Sequence, residues 1–320
     1  MEANGLIQIR QEVPVSLIEM QTKILLEAFY SGKSQRTIEA YKKDWQDFQR
    51  FLEVESEGEA VNLFVSRSPG EANSIALQYR KNLLERGLQA TTINRRLAAL
   101  RSLTQMARTV GIITWSLEIK NQKAEAYRDT KGPGIDNFKK ILGLTEARGD
   151  VKGIRDKAIL RLLFDLGLRR GELTALDIED LDLAKKTIQV MGKGKTQKIE
   201  LTLPAPTITA LTGWLKTRGD FSGPLFLNLD RAKKGDGRMT GKSIYRLVRG
   251  LGEKVGIKTR PHGIRHSAVT EAVKKAQKNG IDLEEVLDFS RHRDVRTLLI
   301  YRDRERNVQG KLSELISESV

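Results

Sequence analysis

Several groups of residues in this 320-residue chain have the types and spacing that chemistry requires. Gly194-Lys195-Thr196 closes the stretch VMGKGKTQKI (190–199) in the manner of a phosphate-binding P-loop. A P-loop needs G-x-x-x-x-G-K-[ST] between a strand and a helix, so that backbone amides and the helix dipole face the phosphates. Position 189 is Gln rather than Gly, and the following QKIELTLP alternates like a strand, so nucleotide binding is not expected there. The only histidines are His262, His266 and His292. HGIRH spaces two of them by four, on one face if helical, but a zinc protease helix carries Glu after the first His, and here that residue is Gly263. The acidic run DIEDLDL (177–183) has its carboxylates side by side. Adjacent carboxylates point in several directions instead of converging on a metal pair. Helix caps and solvated edges are their expected role. No metal site and no cofactor is expected, and the absence of cysteine leaves no disulfide framework.

Three C-terminal blocks remain: LGLRRGELTAL (166–176), RPHGIRHSAVT (260–270) and SRHRDVRTLLIYRD (290–303). Singly, each has an ordinary reading as a local Arg–Glu pair, a surface histidine or a half-buried tyrosine. Together with a lysine in GKGK they resemble the tyrosine recombinase family, the phage integrases and Xer-type site-specific recombinases. That pattern runs Arg in G-L-R-x-x-E-L, Lys in a β-hairpin turn, H-x-x-R, His or Trp, then Tyr. Arg169 and Glu172 match the first element, and Lys193 follows 24 residues on. His262 and Arg265 match H-x-x-R, and His292 and Tyr301 match the last two, nine residues apart. The resemblance covers nearly the whole chain, and four ordered blocks are far more specific than any one. Departures exist. The family usually has Leu-Gly-His where this chain has Ser290-Arg291-His292, and the stretch from Arg265 to His292 is somewhat long. Little chain precedes Ser34, so a separate arm-binding domain is not expected.

The resemblance implies a transesterification. The Tyr301 oxygen attacks a DNA phosphodiester to give a 3′-phosphotyrosine and a free 5′-hydroxyl, and a second 5′-hydroxyl reverses the step without ATP. Arg169, Arg265 and His292 would hold the non-bridging oxygens, the arginines through planar forks of donors. His262 would receive the tyrosine proton, Lys193 would protonate the leaving oxygen, and Glu172 would orient its neighbours. Lys193 and Lys195 both lie in the turn, and spacing favours Lys193, leaving Lys195 as a DNA backbone contact. The implied partners are double-stranded DNA with inverted-repeat core sites and three further copies, a tetramer working through a Holliday junction. The implied setting is the cytoplasm and nucleoid of a prokaryote, phage or mobile element. A DNA-binding protein of the same fold without strand exchange is the alternative reading.

The elements that must position these groups are mainly helical. Residues 34–52 repeat Ile38, Tyr41, Trp45, Phe48 and Leu52 at helical spacing behind Ser34 as N-cap. Further helices are predicted over 71–86, from 88 to 111, over 153–167 and over 240–255, with EVESEGEA (53–60) as a solvated connection. KTIQV and KIELTLP read as a half-buried hairpin, with Ile188 and Val190 on one strand and Ile199, Leu201 and Leu203 on the other. KNQKAEAYRDTKGPG (120–134) lacks apolar periodicity and reads as a linker. These elements give a helical part, the linker 120–134 and a part with a small antiparallel sheet; by resemblance the first, 1–119, is a SAM-like core-binding domain and the last, 135–320, a catalytic domain. By resemblance the two domains form a C-shaped DNA clamp, and the C-terminal helix 307–320 docks on a neighbouring protomer.

Charge supports a polyanion partner. The formal net charge is +15, and of 56 Lys and Arg against 41 Asp and Glu, residues 1–130 hold 18 and 16, leaving 38 and 25 beyond. Candidate DNA contacts are Arg95, Arg96 and Arg101 on the third helix, with Lys242 and Arg246 on the 240–255 helix. No apolar run is long enough to span a membrane.

Overall fold

A computed structural model describes residues 15–123, 132–192, 194–229, 237–292, 294–295, 298–299 and 308–319. Lys193, Tyr301 and most of the expected linker lie outside these residues. The chain divides into two compact units, Met1–Tyr127 and Arg128–Val320. Its described residues are mainly helical with one small antiparallel sheet.

The N-terminal unit contains α1 (Val15–Tyr30), α2 (Gln35–Leu52), α3 (Glu57–Val65), α4 (Pro69–Glu85) and α5 (Ala90–Thr109). α2 begins where its sequence says, because the Ser34 hydroxyl accepts the Thr37 N–H. Trp45 and Phe48 from its apolar stripe meet edge to face at 5.4 Å, and Phe48 meets Tyr79 of α4 at 4.9 Å. Leu25 and Phe29 of α1, Phe64 of α3 and Ile93, Leu97 and Leu100 of α5 complete this core. Each such Leu, Ile or Phe contributes roughly 1.5–3 kcal/mol relative to exposure.

One element lies outside the predicted set and one expectation is corrected here. α1 precedes the first predicted helix and buries Leu25 and Phe29. EVESEGEA is not wholly a solvated connection, because α3 starts within it at Glu57. Ser56 caps α3 by accepting the Glu59 N–H at 3.0 Å, and Glu57 and Glu59 suit the positive end of the helix dipole. Ala60, Val61 and Phe64 then bury one face. The acidic composition is that of a helix start.

The C-terminal unit runs α6 (Gly134–Arg148), α7 (Val151–Asp165), α8 (Arg170–Thr174), a 3-10 turn (Ile178–Asp180), β1 (Leu181–Asp182), β2 (Thr187–Met191), β3 (Lys198–Thr202), α9 (Ala205–Arg218), α10 (Gly241–Lys254), α11 (Pro261–Lys278), α12 (Leu283–Ser290) and α13 (Val308–Ser317). α7 is central and packs on α6, α9 and α11. It starts two residues before the predicted 153, because Asp150 caps it through the Gly153 N–H at 2.7 Å. Gly153 is where α6 crosses close, since a Cβ there would lie 2.6 Å from the Thr145 carbonyl oxygen.

The sheet has order β1-β2-β3, with Ile188 opposite Leu201 and Val190 opposite Ile199. Ile188 and Val190 are buried, but Ile199 is 37% exposed, unlike the half-buried face predicted for its strand. β3 is the outer strand, so the core covers less of the same face there. Gly132-Pro133-Gly134, predicted as the end of the linker, packs on α11. The Gly134 N–H donates to the Ser267 hydroxyl at 2.9 Å, and a Cβ on Gly132 would collide with the Gly263 carbonyl oxygen.

Candidate active site

Arg169 stands at the turn that ends α7. Gly167 adopts φ +54°, which reverses the chain, and Leu168 is buried beyond it. Arg169 then caps α8 in extended conformation, and Glu172 reaches back to accept the Arg169 backbone N–H at 2.8 Å and its Nη1 at 2.7 Å. The second terminal nitrogen of Arg169 donates to the Arg291 carbonyl at 2.8 Å. One guanidinium thus ties the α8 cap to the end of α12.

α11 supplies the next groups. His262 is its second residue and lies at the surface, while Arg265, one turn further, is only 2% exposed. Arg265 donates to the carbonyls of Gly167 and Ser290. His266 is buried, its ring 5.5 Å from that of His262 in an edge-on arrangement. His292 follows α12, and its backbone N–H donates to the Ser290 hydroxyl at 3.3 Å.

Electrostatics place these groups in one neighbourhood. Burial, followed by the charges of Arg260, Arg265 and Arg169, pulls the His262 pKa below its ordinary value, although part of its ring reaches solvent. Burial, then Arg265, Arg169, His262 and Arg291, pulls His292 down to about 4. Both imidazoles are therefore neutral near pH 7. Burial alone would raise the Glu172 pKa, but the Arg169 backbone N–H and the charges of Arg291 and Arg169 hold it below the usual carboxylate value. It stays ionised.

The structure brings together Arg169, Glu172, His262, Arg265 and His292. The nucleophile candidate Tyr301 and the general-acid candidate Lys193 lie outside the described residues. Lys195 is exposed in the hairpin turn, where its N–H donates to the Gly192 carbonyl at 3.1 Å. Lys242 and Arg246 project to solvent from α10, which Thr240 caps. Arg95 is exposed but pairs with Asp44. Arg101 is held by the Ile119 carbonyl at 2.9 Å and Asn121 at 2.7 Å.

Arg96 is placed unlike the other candidates on its helix. Its side chain is 14% exposed and pairs with Asp47, with Asp44 at 3.8 Å. A guanidinium so neutralised has little charge left for a phosphate, and the partners are too distant in sequence for spacing to reveal them.

The acidic run 177–183 is spent on local structure. Asp180 accepts the Asp177 N–H at 3.0 Å, Asp177 pairs with Arg238, and Asp180 pairs with Lys198. No group of three or more potential metal ligands occurs among the described residues. Sequence reasoning missed Arg291, which donates to Glu172 and to three carbonyls. The only signal was a departure from pattern, an arginine where the resembling sequences have glycine.

The sequence and the fold are similar to those of known proteins. The C-terminal unit matches the phage integrase family over residues 135–307, and residues 29–111 match the N-terminal SAM-like domain of phage integrases. A tyrosine recombinase of Synechocystis sp. is 37% identical, covering 95% of this chain and 98% of the relative. The tyrosine recombinase XerA of Pyrococcus furiosus is 30% identical over 70% of this chain and 80% of its own length. Among solved structures, XerH recombinase bound to its palindromic difH substrate superposes with TM-score 0.64 at 18% identity, over 94% of this chain and 85% of the other. That last likeness is one of fold. The chain belongs to the phage integrase family and is an enzyme of its tyrosine recombinase class. No described helix is long and apolar enough to cross a membrane.

Proposed function

We propose that this recombinase breaks and rejoins DNA strands at specific sites through a covalent bond between Tyr301 and a 3′-phosphate. The observation that carries the reading is the convergence of Arg169, Arg265, His262 and His292, whose charges act on one another, with the buried Glu172 holding Arg169. An uncatalysed phosphodiester is inert because charge gathers on its non-bridging oxygens in the transition state. Arg169 and Arg265 are fixed in place before DNA arrives, so they stabilise that charge with little reorganisation, each worth on the order of 100- to 1000-fold in rate. Neutral His292 still has an N–H to donate to the same oxygens.

Proton movements balance as follows. The Tyr301 hydroxyl loses its proton to neutral His262 while its oxygen bonds to phosphorus. The bond from phosphorus to the 5′-oxygen breaks, and Lys193 gives that oxygen a proton. The incoming 5′-hydroxyl of another strand then displaces the tyrosine by the same path reversed. A base must be unprotonated to act, and the depressed pKa of His262 supports that role. Lys242, Arg246, Lys195, Arg95 and Arg101 are the proposed DNA contacts, and phosphate neutralisation supplies most of the affinity. Such a reaction places the protein with DNA in the cytoplasm.

Strand exchange through a Holliday junction requires four copies on paired sites. α13 exposes Leu312, Leu315 and Ile316, an apolar stripe that a short helix cannot bury alone. The same unit carries a groove of about 540 Å³ whose apolar lining is Phe164, Pro204, Pro206, Ala268, Ala272 and Phe289, with the charged Arg161, Asp165, Glu271 and Lys275 also lining it. We assign the groove to α13 of the neighbouring copy, a head-to-tail contact that closes into a ring. Truncation after residue 306 should weaken assembly on DNA more than binding to a single site, and equal loss of both would count against the assignment.

The deciding experiment uses a nicked suicide duplex carrying a site that the protein itself selects from random-sequence DNA. The expected result is a covalent protein–DNA adduct that disappears in Tyr301→Phe. An undiminished adduct in that variant would reassign the nucleophile. No adduct with the unaltered protein would favour a DNA-binding role without strand exchange. In the same assay, cleavage that survives Lys193→Ala but not Lys195→Ala would transfer the general-acid role to Lys195.

A further inference from the structure

Arg291 ends α12 in the left-handed region, at φ 53° and ψ 35°. Only Glu53 and Lys186 share a positive φ among the described non-glycine residues. A side chain there is strained where glycine would not be. Capping α12 cannot be the reason for an arginine, because the cap is made by the backbone N–H of residue 291 to the Leu287 carbonyl at 2.6 Å, and glycine would serve it better.

The side chain explains the choice. Its side chain is 9% exposed, and the guanidinium donates to Leu166 O at 3.0 Å, Phe289 O at 3.1 Å, Gly167 O at 2.8 Å and Glu172 Oε2 at 3.1 Å. Its backbone carbonyl accepts from Arg169 at 2.8 Å. Two of the four acceptors, Leu166 and Gly167, belong to the turn that presents Arg169. Phe289 precedes the segment that presents His292. Glu172 is the carboxylate that orients Arg169. Arg265 spans the same two segments through Gly167 and Ser290.

We propose that Arg291 is a positioning residue for DNA cleavage: its guanidinium locks the Arg169 turn to the His292 segment and shares Glu172 with Arg169. The backbone strain at residue 291 is the cost of placing a guanidinium between them. Without the bridge, Glu172 can follow Arg169 away from the α12 end, and Arg169 and His292 no longer keep one fixed separation around the phosphate. The bridge touches no DNA, so its loss changes the rate of reaction of bound DNA more than the binding.

This inference rests on the recombinase reading, because cleavage is its measure. The test compares Arg291→Gly, Arg291→Lys and the pair Arg291→Gly with Glu172→Gln in the full chain, by single-turnover adduct formation on saturating suicide DNA, DNA affinity and thermal unfolding. Glycine fits the left-handed conformation, so Arg291→Gly is expected to fold. Its adduct should form about 100-fold more slowly, as small misplacements of reacting groups do. Affinity, set by phosphate contacts elsewhere, should stay within about threefold. Arg291→Lys keeps the charge but cannot reach four acceptors, and should recover part of the rate. Adding Glu172→Gln to Arg291→Gly should cost less than Glu172→Gln alone, since both act on one bridge. A folded Arg291→Gly that cleaves at the unaltered rate would overturn the proposal. If that variant does not fold, Arg291→Lys at the full rate would do the same. An unaltered protein that forms no Tyr301-dependent adduct would remove the recombinase reading, a result distinct from loss of the bridge alone.

Discussion

In the N-terminal unit, Asp44 and Asp47 are buried among Arg86, Arg95 and Arg96, and in the C-terminal unit Glu172 is buried between Arg169 and Arg291. Both are arginine–carboxylate clusters with the carboxylate buried, yet the burial of the arginines differs. In the first, the carboxylates are the inner members, Tyr79 donates to Asp47 at 2.8 Å, and Arg86 and Arg95 lie half in solvent. In the second, Arg265 is itself buried and the Arg291 side chain is 9% exposed; both donate to main-chain carbonyls, and Arg291 donates to Glu172 as well. A carbonyl is a dipole and orients a guanidinium without neutralising its charge. The first arrangement ties helices together. In the proposed reaction, the second holds cations ready for a DNA phosphate. An arginine's use is thus decided by what it is paired with and by its own burial, and not by its place on a basic helix.

The strongest way to break this contrast is to remove one buried carboxylate. Asp47→Ala leaves Arg86, Arg96 and the Tyr79 hydroxyl without their acceptor, and should cost about 3–5 kcal/mol in urea unfolding. The cleavage rate of the DNA-bound, folded fraction should be unchanged. A mild effect on unfolding with a large one on cleavage would mean that the N-terminal cluster serves DNA directly. The complementary change is Arg265→Lys, which keeps a charge but loses the planar fork. Adduct formation should slow by about 100- to 1000-fold. Here stability should change much less than in Asp47→Ala, and equal destabilisation by the two would erase the distinction.

Much of this was legible in the sequence because it is local. α2 and α10 announce themselves by a Ser or Thr cap and an apolar stripe within 20 residues. The order Arg169, His262, Arg265, His292 and Tyr301 is visible as motifs with spacing. What spacing cannot show is pairing across the fold. Arg96 reads as a DNA contact because Asp44 and Asp47 are some fifty residues away in α2, and helical periodicity says only that Arg96 is polar. α3 is concealed by an acidic start, a composition shared by helix N-termini and solvated loops. Arg291 is hidden differently: its role needs Glu172, Leu166 and Gly167, all more than a hundred residues earlier. Gly132 looks like linker composition, and only the crossing of α11 explains why a Cβ is excluded.

Acid should separate the two clusters further. An unfolded histidine titrates near its ordinary value, about 6.5, whereas folded His292 titrates at about 4. Between these values the unfolded chain binds a proton that the folded chain does not. The His292 contribution to stability is therefore intact above about pH 6.5 and is lost as pH falls toward 4. His262 is depressed too and has the same sign. Burial raises the pKa of Asp44 despite Arg95 and Arg96, so protonation there favours the folded state as pH falls. The thermal midpoint should thus drop between pH 7 and 5 in the unaltered protein, and drop less in His292→Gln. Parallel declines would show that His292 does not carry the acid sensitivity.

The smallest effect, and the sharpest on assignment, is in the salt dependence of DNA binding. A lysine or arginine that neutralises a phosphate releases counterion, so the logarithm of affinity falls with the logarithm of salt by about 0.9 per contact. Lys242→Ala and Arg246→Ala remove exposed charges that pair with no carboxylate among the described residues, and each should flatten that slope by about 1. Arg96→Ala removes the same formal charge from the same chain. Because Asp44 and Asp47 already balance it, the slope should stay where it is while unfolding becomes easier. The comparison cancels net charge, which falls by one in all three variants, and leaves only the pairing of the lost group. An Arg96→Ala slope that flattens as much as that of Lys242→Ala would show that DNA draws this arginine away from its aspartates, and the two clusters would then differ only in degree.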